Sequence, residues 1–127
     1  MTAATVAAWI VVAVLTGLAV LQVLVAAGRP LGRFVWGGQY EVLPTRLRIG
    51  SLVSVLIYAV IAVIVLDRAG VLDVVPDGVA VVGTWVITAY FTLGILVNAA
   101  SRSPSERAVM TPVCLVLAVS SLVVALS

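Results

Sequence analysis

Four long runs of this sequence contain no charged side chain, and they constrain the fold more than any other feature. The runs cover residues 3–27, 49–66, 78–101 and 108–127. A helix of about 20 apolar residues crosses the hydrocarbon core of a bilayer, and arginines at its ends can extend towards the headgroups. The sequence therefore predicts a single domain, residues 1–127, with transmembrane helices at about 3–27, 44–68, 78–100 and 104–126.

The overall composition also indicates a membrane protein. The chain of 127 residues is 64% hydrophobic and only 9% charged, whereas a soluble domain is about 25% charged. A transmembrane β-barrel is disfavoured because its strands are about 10 residues long and alternate in hydrophobicity. The predicted fold is thus an all-α, membrane-embedded, antiparallel four-helix bundle with up-down-up-down topology.

Residues near the predicted helix ends suit these boundaries. Arg29 and Pro30 follow the first run, and proline disfavours helix at the residue before it. Pro44 suits the first turn of the second helix, where its missing N–H costs nothing. Ser103 and Glu106 have the spacing of a capping box that starts the fourth helix. This capping box is the strongest local signal in the chain.

Several residue types that carry chemistry are absent. All seven basic residues are arginine, so the chain has no lysine or histidine, and it has a single cysteine, Cys114. These absences exclude a Schiff-base lysine, an imidazole base, an internal disulfide and a thiolate metal cluster. Charged residues lie only near the ends of the predicted spans, and none falls in their interior, where it would mark an ion or proton pathway. We expect a non-enzymatic protein with no metal, no cofactor and no nucleic-acid partner.

The arginines are concentrated in and beside the first and third loops. The second loop has only Arg68, next to three aspartates. By the positive-inside rule, the first and third loops face the cytoplasm and both termini lie outside. We expect a multi-pass protein of the bacterial plasma membrane. The arginines of the cytoplasmic side are Arg29, Arg33, Arg46, Arg48, Arg102 and Arg107.

These six arginines form the first candidate site. A cytoplasmic cluster of four to eight basic residues is typical of proteins that bind anionic lipid, and the guanidinium fork matches a phosphate group. The alternative is that they only set the topology and extend to the headgroups. Trp36 and Tyr40, on either side of Gly37 and Gly38, are expected to be interfacial anchors.

A small cavity between the helices is the second candidate site. Counted from the predicted cytoplasmic ends, polar residues of all four helices fall in the inner half or near the middle of the bundle. These side chains either line a polar cavity open to the cytoplasm or only form hydrogen bonds within the bundle. An open cavity that reaches Asn98 would distinguish the first possibility. The residues are Gln22, Ser51, Ser54, Tyr58, Thr88, Asn98 and Thr111.

Two segments, GRPLGRFVWGGQYEVLPTRLRIGSLVS and NAASRSPSERAVMTP, carry a resemblance to known sequences. The chain resembles a group of small bacterial membrane proteins with four predicted spans, of an actinobacterial type. The resemblance covers nearly the whole chain and implies a four-helix membrane fold, but it implies no activity. The residues that carry it are Gly32, Trp36, Gly37, Gly38, Leu43, Pro44, Arg48, Ser51, Asn98, Ser101, Glu106, Arg107 and Pro112.

Two functional hypotheses follow from the sequence. In the leading one, the protein acts through packing, as a homo-oligomer or as an accessory component of a larger membrane complex, with anionic lipid at its cytoplasmic face. In the alternative, it is a small channel or transporter for a neutral or hydrophobic solute. A third hypothesis, a lipid-modifying enzyme, has Glu41 as its nearby carboxylate.

Overall fold

The computed structural model describes residues 1–127 and contains four α-helices and no strand. The helices are α1 (Ala3–Ala26), α2 (Thr45–Arg68), α3 (Asp77–Ala99) and α4 (Pro104–Ala125). All four are long and apolar enough to cross a membrane. The predicted all-α four-helix fold is confirmed, and each observed helix end differs from the predicted one by at most one residue.

Three loops connect the helices. Loop 1 (residues 27–44) contains two short 3-10 turns, Gly32–Phe34 and Trp36–Gly38, whereas loop 2 (69–76) and loop 3 (100–103) are short. Loops 1 and 3 lie at the same end of the bundle, which we call the arginine-rich end. The termini and loop 2 lie at the opposite end.

Side-chain caps define the starts of α1 and α4. The hydroxyl of Thr2 accepts a hydrogen bond from the backbone N–H of Thr5 at 3.1 Å. At α4, Ser103 Oγ accepts from Glu106 N at 3.3 Å, and Pro104 occupies the first turn. Only half of the predicted capping box forms, because the Glu106 carboxylate points away from the Ser103 N–H and bonds to loop 1 instead.

The four helices form a ring: consecutive helices are in contact, and α1 also packs against α4. The pair α3 and α4 packs most extensively, whereas α2 and α3 have the least contact of the adjacent pairs. The main core contains large apolar residues of all four helices, among them Leu15, Val65, Phe91 and Leu117. A smaller core under loop 1 contains Val25, Leu43 and Met110.

Loop 1 folds back over the arginine-rich end. Gly32 N donates to the carbonyl of Glu41 at 2.8 Å, which closes the loop. A Cβ at Gly32 would collide with the carbonyl of Tyr40, so the close approach of the two segments of the loop requires glycine. Ser103 Oγ donates to the carbonyl of Arg33 at 2.6 Å and ties loop 1 to the start of α4.

Candidate functional site

A cavity of about 320 Å³ lies between α2 and α3 near the arginine-rich end. The inner sides of α1 and α4 form its back wall, and residues 34–36 of loop 1 cover its end. Thirteen of its 18 lining residues are hydrophobic. The cavity is therefore an apolar space with a few polar groups in its wall, which is the usual make-up of a small-molecule site.

The cavity lies between the adjacent helices that have the least contact, α2 and α3, at the end of the bundle away from loop 2. Near the opposite end, Gly83 of α3 allows close approach, and a Cβ there would lie 3.0 Å from the side chain of Ile64. The short loop 2 holds the two helices together on that side. At the arginine-rich end, loop 1 joins α2 to α1 and loop 3 joins α3 to α4, so no connection draws α2 and α3 together.

The opening of the cavity faces the side of the bundle. Three residues of α3 that line it, Tyr90, Leu93 and Val97, are more than half exposed. Their spacing places them along one stripe of the helix, at the edge of the gap to α2. In a bilayer this stripe of α3 would face lipid, so the mouth of the cavity lies on the side of the bundle.

Four of the seven predicted cavity residues line this space: Gln22, Ser54, Tyr58 and Asn98. Gln22 Nε2 donates to the hydroxyl of Tyr58 at 3.2 Å and links α1 to α2. Asn98 Nδ2 donates to the carbonyl of Gly94 at 2.8 Å and to Cys114 Sγ at 3.3 Å. Gln22 Oε1 is buried and accepts no hydrogen bond.

The other three predicted cavity residues, Ser51, Thr88 and Thr111, do not line the cavity. Ser51 is fully buried and accepts a hydrogen bond from Trp36 Nε1 at 3.0 Å. Thr88 donates to the carbonyl of Thr84 in its own helix at 2.9 Å. The hydroxyl of Thr111 is buried without a partner. Ser51 is covered by Trp36, and the hydroxyl of Thr88 is used within α3, so position along the helix alone does not decide which residues line the cavity.

Glu106 is a lining residue that was not among the predicted cavity residues. It is only 8% exposed, and its Oε2 accepts a hydrogen bond from the backbone N–H of Gly37 at 3.1 Å. A signal for this position was present, because Glu106, Met110 and Leu117 are separated by four and seven residues and so share one face of α4. That face lines the cavity.

Trp36 forms the end wall of the cavity. Its backbone is in the left-handed region with φ of 52°, which is uncommon for a residue other than glycine. Its ring packs on α2 at Gly50, where a Cβ would lie 2.8 Å from the ring. Together with the hydrogen bond to Ser51, this contact holds the indole between the cavity and the aqueous side.

A groove at the arginine-rich end lies on the other side of this wall. It is lined mainly by Gly37, Gly38, Gln39 and residues 101–104. Four residues, Trp36, Val97, Asn98 and Glu106, line both the groove and the cavity. The cavity and the groove are thus separated only by the thickness of these side chains.

The six arginines predicted to bind anions all lie at the arginine-rich end. Arg48 Nε donates to the carbonyl of Leu43 at 2.8 Å, and Arg107 Nη1 donates to the carbonyl of Ser101 at 3.0 Å. None of the hydrogen bonds made by the six goes to a carboxylate. Three of the six are exposed and donate no side-chain hydrogen bond within the chain: Arg29, Arg33 and Arg102.

The two predicted interfacial anchors have different surroundings. Tyr40 is exposed, and its hydroxyl accepts a weak hydrogen bond from Arg46 Nη2 at 3.5 Å. Trp36 is partly exposed, but its indole N–H is used in the bundle. No group of three potential metal ligands lies together.

The fold and these sites define a small multi-pass membrane protein with a laterally open cavity next to an arginine-rich face. No protein-family model, curated protein or solved structure matches the chain.

Proposed function

We propose that this protein binds a small hydrophobic or amphipathic solute that reaches the cavity between α2 and α3 from the bilayer. The single observation that carries the proposal is the open cavity of about 320 Å³ that reaches Asn98. Ligand sites in proteins measure about 300–1,000 Å³. The cavity is at the lower end of that range and suits a molecule with one ring or one short chain.

The positions of the polar residues in the wall suggest how a solute would be oriented in the cavity. Glu106, Asn98 and Trp36 lie at the arginine-rich end of the cavity, and Tyr58 and Gln22 lie deeper in the bundle. An amphipathic solute would place its polar group near Glu106 and its apolar body among the hydrophobic lining residues. Because the groove lies directly behind Trp36, the same wall separates a solute in the membrane from the aqueous phase.

The arginines support an orientation for the protein. Six of seven lie at one end of the bundle, and the positive-inside rule places such an end in the cytoplasm. In this proposal the groove faces the cytoplasm, the cavity opens in the inner half of a bacterial plasma membrane, and both termini are outside. The function is non-enzymatic, because the solute is held and released without reaction.

A pair of variants on one helix tests solute binding. Leu93 lines the cavity and Leu96 does not, although both are well exposed on α3. We expect Leu93→Trp to fill the cavity and to weaken binding of a neutral probe, phenylbutanol, at least about tenfold. Leu96→Trp should leave binding unchanged. The measurement is equilibrium dialysis of the full chain in phosphatidylcholine nanodiscs, with empty nanodiscs subtracted.

Equal binding by Leu93→Trp, Leu96→Trp and the unmodified chain would contradict the proposal. Passage across the membrane is a separate outcome. If the solute crosses, probe flux into liposomes that contain the protein should fall when Asn98 or Gln22 is replaced by leucine. Binding without flux supports a solute-binding protein and argues against a channel or transporter.

A second candidate function is an accessory or homo-oligomeric membrane component that binds anionic lipid. The observation that favours it is the set of exposed guanidinium groups, Arg29, Arg33 and Arg102, which have no hydrogen bonds to carboxylates. Clusters of this kind bind anionic headgroups.

Replacement of these three arginines by glutamine tests the second function. Retention of cardiolipin during purification should fall, because each guanidinium near the surface contributes about 1 kcal/mol. Arg68→Gln, at the opposite end, is the control and should retain cardiolipin. Native mass spectrometry of the same samples reports the oligomeric state. Unchanged cardiolipin retention in the triple variant would exclude lipid binding by these arginines.

A further inference from the structure

We infer that the cavity between α2 and α3 selects a protonated hydrophobic amine, with the ammonium group at Glu106 and the apolar body among aromatic rings. The inference rests on the proposed function, because it names the chemical class of the solute for the same cavity.

The carboxylate of Glu106 provides the preference for positive charge. Acidic side chains are almost never buried to this extent without a charged partner, yet Glu106 is 8% exposed and its one hydrogen-bond donor is the neutral N–H of Gly37. The N-terminus of α4 supplies a partial charge of about +0.5, which offsets only part of the carboxylate charge. A desolvated carboxylate that faces an apolar cavity is stabilised by a cation.

No arginine competes for this carboxylate inside the cavity. The lining includes Glu106 but none of the seven arginines. Arg102 is the one positively charged residue that lines the adjoining groove, and it is exposed. The cavity itself therefore carries a negative charge, although the end of the bundle around it is positive.

Gln22 lies at the deep end of the cavity, away from Glu106. Its Nε2 donates to the hydroxyl of Tyr58, whereas its Oε1 is buried and accepts nothing. A buried carbonyl oxygen without a donor is unfavourable and is rare in folded proteins. This oxygen is buried away from the open space of the cavity, and Glu106 lies at the other end, so an ammonium group bound at Glu106 does not contact Gln22.

Aromatic rings account for the rest of the recognition. Five of the lining residues are aromatic, and rings within about 6 Å of a cation attract it through their faces. They also give an apolar body a flat surface against which to pack. The five are Phe34, Trp36, Tyr58, Tyr90 and Phe91.

The test compares two probes of nearly equal size that differ in charge. Phenylbutylamine is protonated at neutral pH, and phenylbutanol is not charged. In equilibrium dialysis with phosphatidylcholine nanodiscs, the unmodified chain should bind the amine at least about tenfold more tightly than the alcohol. Glu106→Gln should abolish this preference by weakening binding of the amine at least about tenfold, with a much smaller change for the alcohol. Glu41→Gln, the other glutamate and an exposed one, should keep the preference.

The outcomes separate this inference from the proposed function. If both probes bind equally and Glu106→Gln changes neither, the inference is overturned and solute binding stands. If neither probe binds, both fail. A tighter fit for a phenylbutyl carboxylate would overturn the inference in favour of an anion.

The amine can come from a lipid headgroup or from a free solute, and one further arm distinguishes the sources. Phosphatidylethanolamine carries a primary amine and is added to the nanodiscs in increasing proportion. Displacement of phenylbutylamine by this lipid in the unmodified chain identifies a headgroup amine, and retention of the probe identifies a free amine. Both results support the inference only where Glu106→Gln has removed the preference for the amine.

Discussion

Two buried carboxylates at opposite ends of the bundle show how differently the same group can be used. Asp67 and Glu106 are each 8% exposed. Asp67 Oδ2 accepts hydrogen bonds from the backbone N–H groups of Val74 and Val75, at 2.7 and 3.0 Å. Glu106 accepts one such bond, from Gly37, and also lines the cavity and the groove.

The difference between the two lies in what surrounds the carboxylate. Loop 2 folds around Asp67, which lines neither the cavity nor the groove, so its charge is used to hold that loop. Loop 1 gives Glu106 only one donor and leaves it in contact with an open space. The degree of burial is therefore no guide to function here, whereas the number of donors and the space beside the group separate a structural carboxylate from a candidate ligand-binding one.

The largest expected effect concerns the structural carboxylate. Asp67→Ala removes the acceptor for the N–H groups of Val74 and Val75, and hydrogen bonds to a charged group contribute about 1.5–3 kcal/mol. We expect a clear loss in the free energy of unfolding, measured in mixed micelles by circular dichroism. Asp73→Ala, an exposed aspartate of the same loop, is the matched control. Equal stability of the two variants would show that Asp67 does not hold loop 2.

A smaller effect is expected where loop 1 meets α4. Ser103→Ala removes the N-cap of α4 and the hydrogen bond to the carbonyl of Arg33. Loss of an N-cap costs about 0.5–2 kcal/mol, and the same unfolding measurement should show a loss in that range. Ser105→Ala lies two residues on and loses no side-chain hydrogen bond. A Ser103 variant as stable as the Ser105 variant would contradict the cap and the tie to loop 1.

The fold was predictable from the sequence because lipid leaves the backbone few choices. A long run without charges in a bilayer must satisfy its own N–H and C=O groups, and a helix does so within one segment. Charged and turn-forming residues then set the helix ends, as Pro44 and Ser103 do here. The positions of the ends therefore follow from local sequence alone.

The candidate site was predictable only in part, because the sequence does not show which side chains of a helix a long loop will cover. Ser54 and Ser51 differ by three residues in α2, yet Ser54 lines the cavity and Ser51 is buried under Trp36. The path of loop 1 decides this, since it carries Trp36 back onto α2. Glu106 was interpreted as a helix cap, although its spacing from Met110 and Leu117 places it on the buried face of α4.

The smallest expected effect on stability distinguishes the two carboxylates most sharply. Glu106→Gln keeps an oxygen that can accept the N–H of Gly37, so only the charge is lost. Its interaction with the N-terminus of α4 is worth about 0.3–1 kcal/mol, and the free energy of unfolding should fall by no more than that. Asp67→Asn should cost more, because two donors share the Oδ2 of Asp67.

Ligand selectivity should show the reverse order. Asp67→Asn should preserve the preference for phenylbutylamine over phenylbutanol, since Asp67 is remote from the cavity, whereas Glu106→Gln should remove it with little loss of stability. If Glu106→Gln instead destabilises the chain as much as Asp67→Asn does and leaves the probe preference intact, then Glu106 only holds loop 1 in place, as Asp67 holds loop 2. The two ends of the bundle would then use their buried charge in the same way.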